Sequence, residues 1–180
     1  MYRNKFFACF LMLVCFVVLI PNLASAQSDK VRTSMAALKA ETGKLGAPKV
    51  EGHDLYFGTT KASNDIVDSV VKAQGGSASL FVKSGDQYVR VATTLKKADG
   101  TSAVGTTMDT KNPAMAKLNS GDAYYGDAPV LGKTYDTGYE PIKDASGVIG
   151  AYYVGYPKCH TPTRAWSRNK ACATLQRYLR

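Results

Sequence analysis

The chain has 180 residues, 45% of them hydrophobic, which suits a single globular domain with its own core. Its formal charge of +9 comes almost entirely from the two ends, because residues 27–157 carry 15 Lys and Arg against 14 Asp and Glu. A nearly neutral central part gives no support for a nucleic-acid-binding face.

The first 26 residues have the three-part organisation of a secretory signal peptide. Arg3 and Lys5 precede an apolar run over residues 6–20, and the small residues Ala-Ser-Ala follow at positions 24–26. The run has about 15 residues, fewer than the roughly 20 that a helix needs to cross a bilayer. We therefore expect cleavage after Ala26 and a periplasmic or secreted protein. The alternative is an uncleaved signal that anchors the chain in the inner membrane.

Three helices are predicted in the rest of the chain. Residues 28–44 are mostly helix formers with apolar side chains spaced four and three apart, which predicts an amphipathic helix that docks one stripe on a sheet. Asn64 is a good amino-terminal cap for a second helix, which Gly75-Gly76 ends. Asn112-Pro113 starts a short third helix over residues 114–118.

The clearest strand pattern is a β-hairpin within residues 79–94, with Gly85 in its turn. Alternation in its second strand predicts that Tyr88, Arg90 and Ala92 share one face. This face would carry a cation among rings and small side chains.

Further extended segments complete an antiparallel sheet. The last of them is apolar on both faces, as a central strand would be. Strands joined by tight turns, with helices segregated from them, predict an α+β domain. The segments are residues 49–60 with a turn at Gly52-His53, a weak segment at 101–108, and strands at 123–125, 133–142 and 148–156, with turns at Gly126-Asp127, Leu131-Gly132 and residues 144–147.

Side chains that carry catalysis are scarce in residues 27–157. This part has no Cys, and its one His, His53, is predicted to lie in a turn. A hydrolase that uses His53 is therefore a weak hypothesis, and neither a metal-ligand cluster nor a glycine-rich phosphate loop is present. We expect a protein that is not an enzyme and uses no cofactor and no metal.

The residues from 158 onward form a basic tail that contains Cys159 and Cys172. In an oxidising compartment the two Cys could form a disulfide worth about 3 kcal/mol, and two unpaired thiols are the alternative. The tail is either a disulfide-closed appendage, a contact for an acidic partner or anionic lipid, or a sequence foreign to the domain.

A binding surface has more support than an active site. Alternation in residues 133–140 puts one cation, two phenols and a hydroxyl on one face, which suits a small carboxylate. A loop with two tyrosines lies upstream and could close over a ligand, whereas half-buried tyrosine packing beside solvated cations is the alternative. The candidate ligand-binding residues are Tyr88, Arg90, Tyr125, Lys133, Tyr135, Thr137 and Tyr139.

Several segments within residues 55–157 carry a family resemblance. They are LYFG (55–58), NDIVDSV (64–70), GGSASLFVKSGDQYVRVATTLKKADGTSAVGT (75–106), NPAMAKLNSGDAYYGDAPVLGKTYDTGYEPIKDASG (112–147) and VIGAYYVGYP (148–157). In this order and spacing they resemble the Cache domains, the PAS-like extracytoplasmic sensor domains of methyl-accepting chemotaxis proteins and sensor histidine kinases. The subtype is the third single-Cache type, also described as a Cache 3 and Cache 2 fusion.

The resemblance implies a PAS-like Cache fold over residues 27–157, in which a long amino-terminal helix packs on one side of a five- to six-stranded antiparallel sheet. A ligand pocket is expected on the other side, where Arg90, Lys133, Tyr135 and Tyr139 could face it. Such domains bind carboxylates, amino acids or related metabolites and do not catalyse a reaction on them. We therefore expect an exported sensor linked to chemotaxis or two-component signalling, with a membrane receptor or kinase as partner. The alternative is a protein-interaction or membrane-surface module that acts through the basic tail.

Overall fold

The computed structural model describes residues 25–158, with side chains from Asp29 to Lys158. The expected signal peptide therefore lies almost wholly outside the described residues. Cys159 and Cys172, with the rest of the basic tail, lie outside them as well. Lys158 itself still belongs to the domain, because its backbone N–H donates to Thr134 O over 3.0 Å and its ammonium pairs with Asp127 over 2.6 Å.

Five antiparallel strands form the central sheet in the order β5-β4-β8-β7-β6. They are β4 (Ser77–Ser84), β5 (Gln87–Thr93), β6 (Tyr124–Val130), β7 (Lys133–Asp144) and β8 (Gly147–Pro157). The doubly apolar strand β8 lies in the middle of the sheet, which confirms its prediction as a central strand. Central strands are buried on both faces and therefore need apolar side chains on both.

The segment around Gly52-His53 forms a small separate sheet rather than one strand. Its members are β1 (Pro48–Glu51), β2 (Asp54–Phe57) and β3 (Thr60–Lys61), in the order β1-β2-β3. The predicted turn at Gly52-His53 is confirmed, but it joins two strands that pair with each other instead of interrupting one. The helices are α1 (Ser25–Gly43), α2 (Asn64–Gln74) and α3 (Ala114–Asn119). This combination of helices with antiparallel sheets confirms the α+β class.

The helix face of the central sheet, which carries Leu80, Tyr152 and Val154, packs against α1, α2 and the small sheet. The predicted apolar stripe of α1 is buried there, with at most 1% of Val31, Met35 and Leu38 exposed. Helix α1 is also held by hydroxyl groups, because Ser34 bonds Tyr156 over 2.8 Å and Thr42 bonds Tyr152 over 3.1 Å.

The opposite face, called the cavity face below, carries a second core around Phe81, Tyr139 and Tyr153. The rings of Tyr139 and Tyr153 lie 5.0 Å apart between centroids. This core is covered by the residues between β5 and β6, which include α3. The two faces of one sheet therefore serve separate layers, one of helices and one of irregular chain.

A β-bulge at Val91 divides β5. Leu80 pairs with Ala92, but the next pair along the strands joins Phe81 to Arg90, so Val91 has no partner. One extra residue reverses the alternation of side chains. Arg90 therefore lies on the cavity face and Ala92 in the core of the helix face, and the predicted common face of these two residues is wrong.

Two further local predictions are corrected by tertiary contacts. No turn forms at Gly126-Asp127; strand β6 continues through it, because Gly126 pairs with Thr137 and accepts a 2.7 Å hydrogen bond from its hydroxyl. Asn64 does not cap α2, whose N-cap is Ser63. The Asn64 side chain instead accepts a 2.9 Å bond from the backbone N–H of Thr93 and thereby ties α2 to the end of β5.

Gly138 sets the distance between α1 and β7, and its substitution tests this packing. A Cβ there would lie 2.8 Å from both Val31 Cγ1 and Tyr125 Cε1. We expect Gly138→Ala to lower the free energy of unfolding by about 1–3 kcal/mol, the usual cost of overpacking, as measured by urea denaturation. The matched control is Gly43→Ala, where a Cβ meets nothing within 4 Å and stability should equal or exceed that of the wild type. Equal stability of all three proteins would contradict the tight approach.

Candidate ligand-binding site

A cavity of about 240 Å³ opens on the cavity face of the sheet. Its polar wall consists of Arg90 from β5 and three residues of the following segment, Thr107, Asp109 and Asn112. A second part of its wall is formed by the tip of the β6–β7 hairpin, residues 129–132. The cavity lining thus combines charged and polar side chains with apolar ones.

Residues 105–108, predicted as a weak extended segment, run along the free edge of β5. Backbone hydrogen bonds of 2.8–2.9 Å join Gly105 and Thr106 to Arg90, and a 2.8 Å bond joins Met108 to Tyr88. The chain then crosses the cavity face, where the Asn112 side chain donates to the Tyr139 hydroxyl over 3.1 Å. This path closes the cavity on the side away from the sheet.

The guanidinium of Arg90 is the most unusual group in the site. Only 4% of the residue is exposed, its Nη1 donates to Thr106 Oγ1 over 2.6 Å, and its Cζ lies 4.9 Å from the centroid of the Phe81 ring. Its Nε is shielded from solvent and has no hydrogen-bond partner among the described residues. Burial lowers the pKa of Arg90, and none of the ion pairs among the described residues includes it.

A buried cation without a counter-ion is costly, since its lost hydration is not replaced. An arginine in protein nevertheless keeps its proton and presents donors only. Arg90 therefore brings a positive charge to this wall of the cavity that no ion pair among the described residues balances.

Tyr139 adds a second donor beside Arg90. The residue is 0% exposed, and burial raises the pKa of its phenol to about 12, so the hydroxyl keeps its proton at neutral pH. The oxygen accepts the bond from Asn112, and the hydrogen bonds among residues 29–158 include no acceptor for the phenolic proton.

The strand register confirms that Lys133, Tyr135, Thr137 and Tyr139 share one face. They do not line the cavity themselves, and Tyr139 reaches it only through Asn112. The Lys133 side chain is exposed, so the predicted convergence of two cations does not occur in this cavity. Tyr135 is half-buried, and the Thr137 hydroxyl is used by Gly126.

Tyr88 and Tyr125 are also placed away from the cavity. Tyr88 is buried on the cavity face, where its hydroxyl donates to Asn119 of α3 over 3.2 Å. Tyr125 lies on the helix face, because strand alternation turns it away from Tyr124, and the predicted closing loop is in fact part of β6. The prediction of a loop that closes over a ligand with Tyr125 is therefore wrong.

Sequence reasoning missed most of the cavity wall. Asn112 was identified only as the start of α3, and Leu131-Gly132 only as a turn. No local signal brings either to Arg90, because each reaches the cavity through the path of the chain across the sheet. His53 is exposed in the turn between β1 and β2, and within residues 29–158 no three His, Cys, Asp or Glu side chains gather as a metal site.

On the helix face, Tyr125 belongs to a polar network that holds α1. Its hydroxyl donates to Glu140, its ring lies 4.2 Å from Arg32 Cζ, and Lys39 donates to Glu140 over 2.6 Å. Burial alone would raise the pKa of Glu140, but the hydrogen bonds from Lys39 and Tyr125 outweigh it and leave the pKa below its usual value.

Acid should therefore weaken α1 docking through Glu140. A carboxyl group whose pKa is depressed by folding stabilises the fold above its unfolded pKa, and this contribution is lost as pH falls below about 4.5. At pH 7 we expect Glu140→Gln to lower the free energy of unfolding by about 1 kcal/mol, with the difference shrinking as the carboxyl group becomes protonated in acid. In the control Glu41→Gln, which breaks an exposed pair with Lys44, the change should be smaller. Chemical denaturation across pH measures both, and a pH-independent difference would contradict the role of Glu140.

Replacing Arg90 by Met tests whether its charge serves the fold or a ligand. The side chain keeps much of the length, and Thr106 Oγ1 keeps its own 2.7 Å bond to Ala103 O. Removing an uncompensated buried charge should raise the free energy of unfolding of the ligand-free protein by about 1 kcal/mol, measured by urea denaturation. A loss of stability instead would show that Arg90 is a structural residue.

No curated protein matches the chain significantly. Two solved structures are similar to it. One is the GAF domain of a phosphoenolpyruvate-protein phosphotransferase from Coxiella burnetii, with 16% identity, 87% of this chain and 92% of that chain covered, and a TM-score of 0.44. The other is the GAF domain of the corresponding Acinetobacter protein, with 13% identity, 85% and 87% covered, and a TM-score of 0.41. Both scores are below 0.5, so nothing is argued from them.

Within residues 25–158, no helix has the length and apolar character needed to cross a membrane. A family model, the Cache 3/Cache 2 fusion domain, matches residues 22–164, which confirms the resemblance and its subtype. Cache domains are extracytoplasmic, non-catalytic sensor domains that bind small molecules in chemotaxis and signalling proteins. Because the match covers most of the chain, the protein belongs to the Cache 3/Cache 2 fusion domain family.

Proposed function

We propose that this domain is an exported, non-enzymatic sensor that binds a small carboxylate-like metabolite against Arg90. The observation that carries the proposal is the guanidinium on the cavity wall, which is buried and forms no ion pair among the described residues. A carboxylate would supply the missing negative charge and accept charge-assisted N–H bonds from the guanidinium.

The surroundings of Arg90 favour a carboxylate over a neutral ligand. Asn112 also lines the cavity, and the second N–H of its amide is free of the bond to Tyr139. Two donor groups of the wall, Arg90 and Asn112, are therefore available to one ligand. An anion with several lone pairs satisfies them together, whereas a neutral ligand leaves the charge of Arg90 unpaired.

The residue types of the cavity wall favour ligand binding over catalysis. The wall contains no His and no Cys, and one carboxylate oxygen of Asp109 already accepts the backbone N–H of Lys111 over 2.8 Å. We place the domain in the periplasm or outside the cell after signal cleavage near Ala26. Its proposed partner is a membrane receptor or kinase of a chemotaxis or two-component pathway.

A carboxylate screen tests the proposal directly. We expect at least one small organic acid or amino acid to raise the melting temperature of the full chain, since a ligand that binds only the folded state stabilises it. Calorimetric titration of that acid into Arg90→Met should show binding weakened by about 10- to 100-fold, the usual worth of charged hydrogen bonds.

The matched control is Lys133→Ala, because Lys133 is an exposed cation on the same face that does not line the cavity. Its affinity should equal that of the wild type. Absence of a shift with a broad set of acids, or equal losses in the two variants, would overturn a site at Arg90.

A further inference from the structure

Leu131 adopts a backbone conformation that is unfavourable for a residue with a branched side chain. It is the first residue of the two-residue turn between β6 and β7, and its φ of 48° is the only positive value at a non-glycine residue among those described. Such turns favour Asn, Asp or Gly because a branched side chain crowds the backbone in this region. A leucine here works against the stability of the hairpin.

The Leu131 side chain also gains little from burial. It is 42% exposed, one of two large hydrophobic side chains in the described part of the chain that remain so open, the other being Val104. Neither local conformation nor packing of the free protein therefore explains a leucine at this position. Conflicts of this kind mark functional positions.

The position of Leu131 in the cavity suggests what it contacts. Together with Met108, Pro129 and Val130 it forms the apolar wall of the cavity whose polar wall carries Arg90. A ligand held by its carboxylate at Arg90 would extend its other end toward this wall. An apolar tail there would cover the exposed leucine and remove apolar surface of both from water.

We propose that Leu131 is a specificity-determining residue that selects monocarboxylates with an apolar tail over short or doubly charged acids. The inference rests on the proposed carboxylate site at Arg90. The apolar wall adds to the selection because its side chains offer no hydrogen-bond partner to a second anionic group on the ligand.

Titration with acids of increasing chain length measures this preference for an apolar tail. We would titrate the full chain with acetate, propionate, butyrate, pentanoate and hexanoate by calorimetry. Each buried methylene should tighten binding by about fourfold until the tail passes the hairpin tip. Succinate should bind more weakly than butyrate.

The variant Leu131→Asn suits the turn and removes the apolar side chain. It should bind acetate as the wild type does, lose the gain from the longer acids, and melt a few degrees higher because Asn tolerates the turn conformation. The control Val104→Asn changes the other exposed side chain, which does not line the cavity, and should keep the full chain-length dependence.

The outcomes separate this inference from the proposed function. If no acid in the broad screen binds, the carboxylate site fails and the inference fails with it. If acids of the screen bind through Arg90 but none of this series does, only the inference is overturned. If acids bind through Arg90 but acetate and hexanoate bind equally, or if Leu131→Asn keeps the chain-length dependence, only the role of Leu131 is overturned. A folded, more stable variant that has lost the long-chain preference would establish it.

Discussion

The buried guanidinium of Arg90 is the constraint on which the rest of the site depends. A charge that is 4% exposed and unpaired within the described residues raises the free energy of the ligand-free domain, and the fold tolerates it through Phe81 and Thr106. Parts of segment 105–112 and the β6–β7 hairpin tip line a cavity together with Arg90.

The central sheet separates the layer that contains the cavity from the layer that contains α1. Its cavity face meets irregular chain that follows the edge of β5, whereas its helix face meets α1 through apolar packing and through the hydroxyl and ionic contacts of Tyr152, Tyr156 and Glu140. Strand β7 belongs to both layers, because Tyr139 lies on one face and Glu140 on the other. Strand β7 therefore contributes side chains to both layers.

Two residues combine features that are unfavourable for stability. Among the described residues Arg90 is buried without an ion pair, and Leu131 combines a left-handed backbone with an exposed side chain. Both line the cavity. Conflicts of this kind are frequent at functional sites, which is why the proposals above rest on these two residues.

The sequence by itself determined the α+β class, the three helices, the hairpin around Gly85 and the central position of β8. These features depend on local periodicity and on glycine or proline at element ends, which neighbouring residues decide. Only the tertiary structure decided the bulge at Val91, the extension of β6 through Gly126 and the course of residues 105–112 across the sheet. Pairing with distant strands produces each of these, and the cavity exists only where such distant segments meet. For this reason the sequence singled out Arg90 as a candidate, whereas the meeting of Asn112 and Leu131 with it at one cavity could not be predicted.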